Sequence, residues 1–186
     1  FEQLVADALL IINDEVKIQP NYPVDDNGEP ISHAPPNKTD IECYYESFDG
    51  ICEVTLNCSK LQWVLEGQPI MRHLRDFEKE HTDRKVFCLF VAPAIHNDTF
   101  SQFWFCVKYE YDGIPQKIIP LTAPLFAKVL ETLLELIKHN RRLSHKNVEA
   151  LYDMIVNEPV RLTGFSQWAD YIPSALDQWR QRVLSF

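Results

Sequence analysis

Residues 39–55, TDIECYYESFDGICEVT, contain two short apolar runs whose residue types favour β-strands. Asp40 stands at the start of the first run, and Glu53 lies inside the second. Because strand side chains alternate between two faces, Ile51, Glu53 and Thr55 are expected to point the same way. Glutamate is not favoured on a β-surface, so the position of Glu53 calls for a functional explanation.

The reversal between the two runs has two interpretations. Asp49-Gly50 is a local turn signal, and a tight turn there would pair Glu53 with Glu46 and leave Asp40 far along the sheet. A reversal centred near Glu46-Ser47 instead places Asp40 opposite Glu53. We prefer the second register because it brings two carboxylates together, an arrangement suited to holding a hard divalent cation against a phosphate.

The remaining patterns alternate between strands and helices, which predicts an α/β domain with a helical C-terminal cover. Pro69 suits the first turn of a helix, Ser144 or Asn147 suits an N-cap, and Pro173 is expected to break the last helical region. Residues 20–38 are predicted as a loop or loose hairpin, and 99–109 as a helix with a strand as the alternative. The other predicted helices are 1–17, 69–80, 123–139, 148–156 and 174–184, and the predicted strands are 41–45, 51–56, 85–92 and 116–121.

The length of 186 residues and the 46% hydrophobic content predict one well-cored domain spanning residues 1–186. No apolar run is long enough to predict a membrane span. The five cysteines form no CxxC pair, so we expect reduced core thiols in an intracellular protein. The chain begins with Phe1 rather than Met, so we expect a fragment of a longer chain.

The net charge of −9 argues against this chain binding DNA by itself, because phosphate contacts supply most non-specific affinity. Its longest basic cluster, residues 138–142, is more simply a solvated helix end. If the chain acts on DNA, a separate domain or partner is expected to deliver it.

Asp40, twelve intervening residues and then Glu53-Val54-Thr55 have the layout of a divalent-metal nuclease core. The spacing alone is also compatible with an exposed polar strand face. Together with Glu66 and Arg72-His73-Leu74, however, the segment resembles the catalytic core of the AlwI-type family of type IIS restriction endonucleases, which includes site-specific nicking endonucleases. The resemblance covers most of the chain and is strongest between residues 40 and 77.

The resemblance implies a variant of the PD-(D/E)XK fold, a mixed central sheet flanked by helices. It also implies a role for each matching residue. Asp40 corresponds to the first metal-binding carboxylate, Glu53 to the acidic residue of the (D/E)XK element, and Glu2 to a helix-borne acid that completes the metal site. Glu66 and His73 correspond to further catalytic residues. The implied cofactor is Mg²⁺, with Mn²⁺ as a substitute.

Thr55 departs from the general pattern, which has a catalytic lysine at that position. Lys60 lies seven residues after Glu53 and is therefore out of place. Either the subfamily dispenses with the lysine, or a helix residue such as His73 or Arg72 takes over its electrostatic role.

Each helix-borne candidate also has a structural interpretation. His73 could be a partly buried histidine whose hydrogen bonds are satisfied within the protein. The negative charges of Glu66 and Glu2 could simply stabilise the N-termini of nearby helices through the macrodipole. Arg72 could pair with Asp76 four residues on.

The resemblance thus implies a bacterial cytoplasmic, Mg²⁺-dependent DNA endonuclease that cleaves one strand per active site. It would be either the cleavage domain of a longer chain or the small subunit of a heterodimeric enzyme. Double-stranded DNA would be recognised by a separate domain, and double-strand cleavage would need a second nuclease subunit. The alternative is a catalytically dead nuclease-fold module that docks a partner protein. We expect Glu53→Ala to abolish cleavage without unfolding the chain, because the alternation places Glu53 on a solvent-facing position.

Overall fold

A five-stranded mixed sheet forms the centre of the computed structural model, which describes residues 1–12, 14 and 16–185. The strand order is β1-β2-β3-β4-β5. The first two pairings are antiparallel, and β3, β4 and β5 run parallel. The strands are β1 (Lys17–Pro20), β2 (Ile41–Tyr44), β3 (Phe48–Val54), β4 (Lys85–Ala92) and β5 (Ile118–Thr122).

Helices flank the sheet, and the C-terminal part of the chain is helical, as predicted. A π-helical turn, Trp63–Gly67, precedes α2, and a 3-10 turn, Glu158–Arg161, follows α5. The α-helices are α1 (Glu2–Ile12), α2 (Gln68–Glu80), α3 (Asn97–Lys108), α4 (Ala123–Lys138), α5 (His145–Asn157) and α6 (Phe165–Leu184).

The hairpin between β2 and β3 has the register that places Asp40 next to Glu53. Ile41 pairs with Cys52, and the Tyr45 N–H donates to the Phe48 carbonyl at 3.0 Å, so the reversal falls at Glu46-Ser47. The preferred register is therefore confirmed.

The alternative interpretation, a turn at Asp49-Gly50, is wrong because both residues lie inside β3. A Cβ atom at Gly50 would lie 3.0 Å from the carbonyl oxygen of Phe87 on β4. Glycine at this position allows close approach of two parallel strands rather than a change of chain direction.

The strand β4 runs through the middle of the sheet, between β3 and β5. All its residues except Lys85 are buried. Its nearly continuous apolar run is typical of a strand covered on both faces, and the predicted strand at 85–92 is confirmed.

Several predicted boundaries are wrong. The first helix ends at Ile12, and the predicted continuation at residues 13 and 15 lies outside the described part of the chain. The strand β1 occupies residues predicted as helix end and loop, because it pairs with β2 as an edge strand. The strand predicted at 51–56 begins earlier, at Phe48, and ends at Val54.

The last helix continues through Pro173, contrary to the predicted break. Trp168, Ile172, Leu176 and Trp179 are all at most 2% exposed and follow helical spacing on both sides of the proline. Burial of this stripe outweighs the single backbone hydrogen bond that proline removes. Ser144 caps α5, and Asn147 completes the capping box.

All five cysteines are free thiols, as expected, but Cys58 is exposed rather than part of the core. Within the described residues, no helix is both long and apolar enough to cross a membrane.

Candidate active site

Two carboxylates meet where β2 begins and β3 ends. Asp40 directly precedes β2, and its Oδ2 accepts a hydrogen bond of 2.7 Å from the Val54 N–H. This bond crosses the hairpin and holds the Asp40 side chain beside Glu53. Glu53 is only 6% exposed, so the prediction of a solvent-facing position is wrong. The alternation gives the face of the strand correctly, but α2 packs against β3 and the cavity that Glu53 lines is recessed.

His73 reaches this pair from α2. Pro69 lies in the first turn of the helix, as predicted, and buried Ile70 and Leu74 seat it against the core. His73 Nδ1 lies 2.9 Å from Glu53 Oε1. Its Nε2 is buried and has no hydrogen-bond partner among the described residues. The structural interpretation of His73 as a satisfied, partly buried histidine therefore accounts for Nδ1 but not for Nε2.

Glu66 lies in the π-helical turn before α2 and accepts a hydrogen bond of 3.0 Å from Thr55 Oγ1. Single π-helical turns are often found at functional sites, since the extra residue redirects side chains. Thr55, which stands at the position of the lysine in the general pattern, therefore orients Glu66.

Glu2 extends from the first turn of α1. Its Oε1 lies 2.8 Å from His33 Nδ1, and its Oε2 is buried without a hydrogen-bond partner among the described residues. A buried, unpartnered carboxylate oxygen is costly unless a ligand, ion or water satisfies it.

The five predicted residues all line one cavity of about 580 Å³. The structure thus brings Glu2, Asp40, Glu53, Glu66 and His73 together, while their roles stay predictions. Arg72, the other candidate for the missing positive charge, does not line this cavity. It donates to Asn37 Oδ1 at 3.1 Å, and the described residues show no ion pair between Arg72 and Asp76.

The two central carboxylates resist ionisation. Burial, followed by the negative charge of Glu53, raises the pKa of Asp40 from 3.8 to about 8, although the Val54 N–H bond opposes this effect. Burial also raises the pKa of Glu53, against the stabilising contact with His73. A cation between these groups would relieve the repulsion and favour their charged forms.

The oxygen donors of this cavity fit a hard cation such as Mg²⁺. In the described part of the chain, no group of three or more His, Cys, Asp or Glu side chains is arranged to hold a metal ion. Mg²⁺ is commonly held by one or two carboxylates together with waters and substrate phosphates, whereas Zn²⁺ sites usually have three or four protein ligands.

Sequence reasoning missed two further residues near this site. Lys38 lines the cavity two residues before Asp40. Asn21 holds the intervening backbone, because its N–H donates to the Asp40 carbonyl at 2.9 Å and its Nδ2 to the Thr39 carbonyl at 3.0 Å. No motif spacing signals either residue, since both act from segments predicted as loop.

The mixed sheet, the flanking helices and the carboxylate-lined cavity at one sheet end define a fold of the restriction-endonuclease class. The structure is similar to the crystal structure of the small subunit of the heterodimeric restriction endonuclease R.BspD6I, with a TM-score of 0.77 and 21% sequence identity. The match covers 96% of this chain and 88% of that chain.

The family model for AlwI restriction endonuclease matches residues 1–129. The chain belongs to the AlwI restriction endonuclease family, and the resemblance stated from the sequence is confirmed. Among individually curated proteins, none is significantly similar to this chain.

Proposed function

We propose that this chain is a divalent-metal-dependent DNA endonuclease that hydrolyses one phosphodiester bond of one DNA strand, in the manner of a type IIS restriction or nicking enzyme. The observation that carries the proposal is the position of Asp40 beside Glu53, one residue beyond the Ile41–Cys52 pair of the hairpin, inside a cavity that Glu66 and His73 also line. Family membership supports nuclease chemistry, and the pair fits a PD-(D/E)XK-type site.

Asp40 and Glu53 would hold the metal ion, and Glu2 would complete the site through its unpartnered Oε2. When bound, Mg²⁺ neutralises charge on the phosphate and activates water for hydrolysis. Two adjacent acids with raised pKa values support this assignment, because they form a site that a cation stabilises.

The protein's own groups would orient these ligands. The Val54 N–H donates a hydrogen bond to Asp40 Oδ2, and Thr55 Oγ1 donates one to Glu66. In the neutral tautomer that donates from Nδ1 to an ionised Glu53, His73 Nε2 carries no proton. That nitrogen can then accept a proton inside the cavity, which suits a general base or proton relay.

One cavity of this kind cuts one strand, so double-strand cleavage would require a second nuclease subunit. The similar solved structure is a subunit of a heterodimeric enzyme, which supports a partner subunit here. The net charge of −9 supports recognition of double-stranded DNA through a separate domain, with residues 1–186 as one cleavage domain. A bacterial cytoplasmic location accompanies this function.

A second candidate is a nuclease-fold module without catalytic activity that docks a partner protein. The observation that favours it is Thr55, which bonds to Glu66 where the general pattern has a catalytic lysine. The two candidates differ in metal binding, since an inactive module has no need of a divalent cation at Asp40 and Glu53.

The test is Mn²⁺ binding, measured by calorimetry on the chain and on its Asp40→Asn and Glu53→Gln variants. Asp76→Asn is the matched control, because Asp76 is an exposed carboxylate of α2 outside the cavity. Saturable binding that both cavity variants lose and the control keeps supports the nuclease. Absent binding, or binding indifferent to both cavity variants, rules it out in favour of the docking module.

Nicking of supercoiled plasmid with Mg²⁺ is the second assay, with the same variants. Metal binding comes first because cleavage also depends on DNA recognition, which the proposal assigns elsewhere. Glutamine and asparagine are used rather than alanine because they keep the shape of buried side chains and the hydrogen bonds from Val54 and His73.

A further inference from the structure

The cavity has an unbalanced set of charges. Its lining includes four carboxylic acids, Glu2, Asp40, Glu53 and Glu66. Among the described residues that line it, Lys38 is the only lysine or arginine. When these acids are ionised, a phosphodiester entering the cavity meets negative charge on most sides, so a cationic side chain facing it has a large electrostatic effect.

The backbone on the N-terminal side of Lys38 is fixed by tertiary contacts. The Lys38 N–H donates to the Pro35 carbonyl at 3.1 Å, which closes a turn. Asn37 has a φ of 65°, in the left-handed region that asparagine tolerates better than most residues. Its side chain accepts the hydrogen bond from Arg72, which ties the turn to α2.

The backbone on the C-terminal side is fixed as well. Asn21 binds the carbonyls of Thr39 and Asp40, and Thr39 is buried. The Lys38 side chain itself is exposed and forms no hydrogen bond or ion pair with the described residues. The result is an exposed ammonium group on an anchored backbone, two residues from a proposed metal ligand.

The other candidates for a positive charge are already engaged. Arg72 bonds to Asn37 and does not line the cavity, and His73 bonds to Glu53 through Nδ1. Thr55 carries no charge. The positive charge of the lysine in the general pattern is therefore not supplied by a residue of α2.

We propose that Lys38 is a further catalytic residue, whose ammonium group contacts the phosphate to be cut and offsets the negative charge that builds on it. The inference rests on the proposed nuclease function and deepens it. The ammonium group of Lys38 belongs to the loop before β2, whereas the lysine of the general pattern follows the acidic residue of β3. Lys38 therefore faces the same cavity from the opposite side of the hairpin.

The test compares the chain with its Lys38→Gln, Lys38→Arg and Lys60→Gln variants. Lys60 is the matched control, because it is an exposed lysine outside the cavity, three residues after Asn57, which lines it. Mn²⁺ affinity is measured without DNA, and single-turnover nicking of supercoiled plasmid is measured at saturating DNA. Circular dichroism checks the fold of each variant.

Lys38→Gln is expected to bind Mn²⁺ roughly three- to tenfold more tightly, because a positive charge beside the carboxylates has been removed. The same variant is expected to nick DNA about 10²-fold more slowly at saturation, the usual effect of losing one group that stabilises transition-state charge. Lys38→Arg should recover most of the rate, and Lys60→Gln should leave both quantities unchanged.

Two results would overturn the assignment of Lys38 while leaving the nuclease intact. One is Mn²⁺ affinity unchanged in Lys38→Gln, which would mean that the ammonium does not face the carboxylates. The other is a loss of DNA affinity with an unchanged rate at saturation, which would make Lys38 an ordinary phosphate contact. If the unmodified chain binds no Mn²⁺, the proposed function itself fails.

Discussion

The affinity of this protein for divalent cations should depend strongly on pH. The perturbation is a change of pH from 9 to 6 during Mn²⁺ titration. Burial and the neighbouring Glu53 raise the pKa of Asp40 to about 8, so the carboxyl group is mainly protonated at neutral pH without a cation. A metal ion binds the ionised form, and binding must therefore release a proton.

The size of the effect follows from that pKa of about 8. The apparent association constant is the intrinsic constant multiplied by the ionised fraction of Asp40. That fraction is about one-half at pH 8, roughly one-tenth at pH 7 and roughly one-hundredth at pH 6. As the pH increases, the apparent association constant should therefore rise about tenfold per pH unit up to pH 8 and then level off. Release of a second proton from Glu53 would make the rise steeper.

The assay is calorimetry at a series of pH values, repeated in two buffers with different ionisation enthalpies to count the protons released. Asp76→Asn should follow the same curve as the unmodified chain, because Asp76 is an exposed carboxylate outside the cavity. Binding with no dependence on pH between 6 and 9, or with no proton release at pH 7, would refute the reasoning. It would mean that the ion binds away from Asp40.

Three further predictions concern the same site. Asp40→Asn should stabilise the metal-free chain by about 3 kcal/mol at pH 6, measured by thermal or urea unfolding. The raised pKa of Asp40 in the folded chain makes the free energy of unfolding fall as the pH rises from 3.8 to about 8, and asparagine removes this loss. A gain that does not grow with pH would contradict this prediction. His73→Ala should weaken Mn²⁺ binding about 10- to 100-fold, since Glu53 loses the contact that orients it and favours its charge; unchanged affinity would make the contact incidental. Gly67→Ala should destabilise the chain by about 1–3 kcal/mol and change the tryptophan fluorescence, because the added Cβ collides with the indole ring of Trp63 in the π-helical turn. An unchanged melting temperature would show that this turn adapts freely.

The parts of the site that lie on strands could be predicted from the sequence. Strand register is discrete, so the requirement that Asp40 face Glu53 selects one reversal point, and the observed pairing of Ile41 with Cys52 satisfies it. The local turn signal at Asp49-Gly50 misleads because the glycine serves the close contact with β4.

The burial of Glu53 could not be predicted in the same way. A period of two gives the face on which a side chain lies, but not what covers that face. Here α2 packs against β3 and supplies His73, and the turn before α2 supplies Glu66. These contacts depend on how a helix docks some residues later in the chain, which no local pattern encodes.

Lys38 was missed for a related reason. It lies in a segment that the prolines mark as loop, and its place at the cavity depends on hydrogen bonds from Asn21 and Arg72, residues from two different parts of the chain. A search restricted to the position after Glu53 finds only Thr55. The structure places Lys38 in the lining of the cavity, before β2 rather than at the position of Thr55.

The energetics of Asp40 and Glu53 bear on the choice between an active nuclease and an inactive module. Two acids with raised pKa values, facing each other in a recessed cavity, make the metal-free chain less stable at neutral pH than neutral side chains would. A module that only docks a partner gains nothing from this arrangement, and one substitution, Asp40→Asn, would remove it while keeping the Val54 hydrogen bond. In a metal-dependent hydrolase the same feature is useful, because cation binding then offsets the repulsion and draws both carboxylates into their charged forms. A destabilised site that a divalent ion would stabilise therefore favours the proposed metal-dependent nuclease over the docking module.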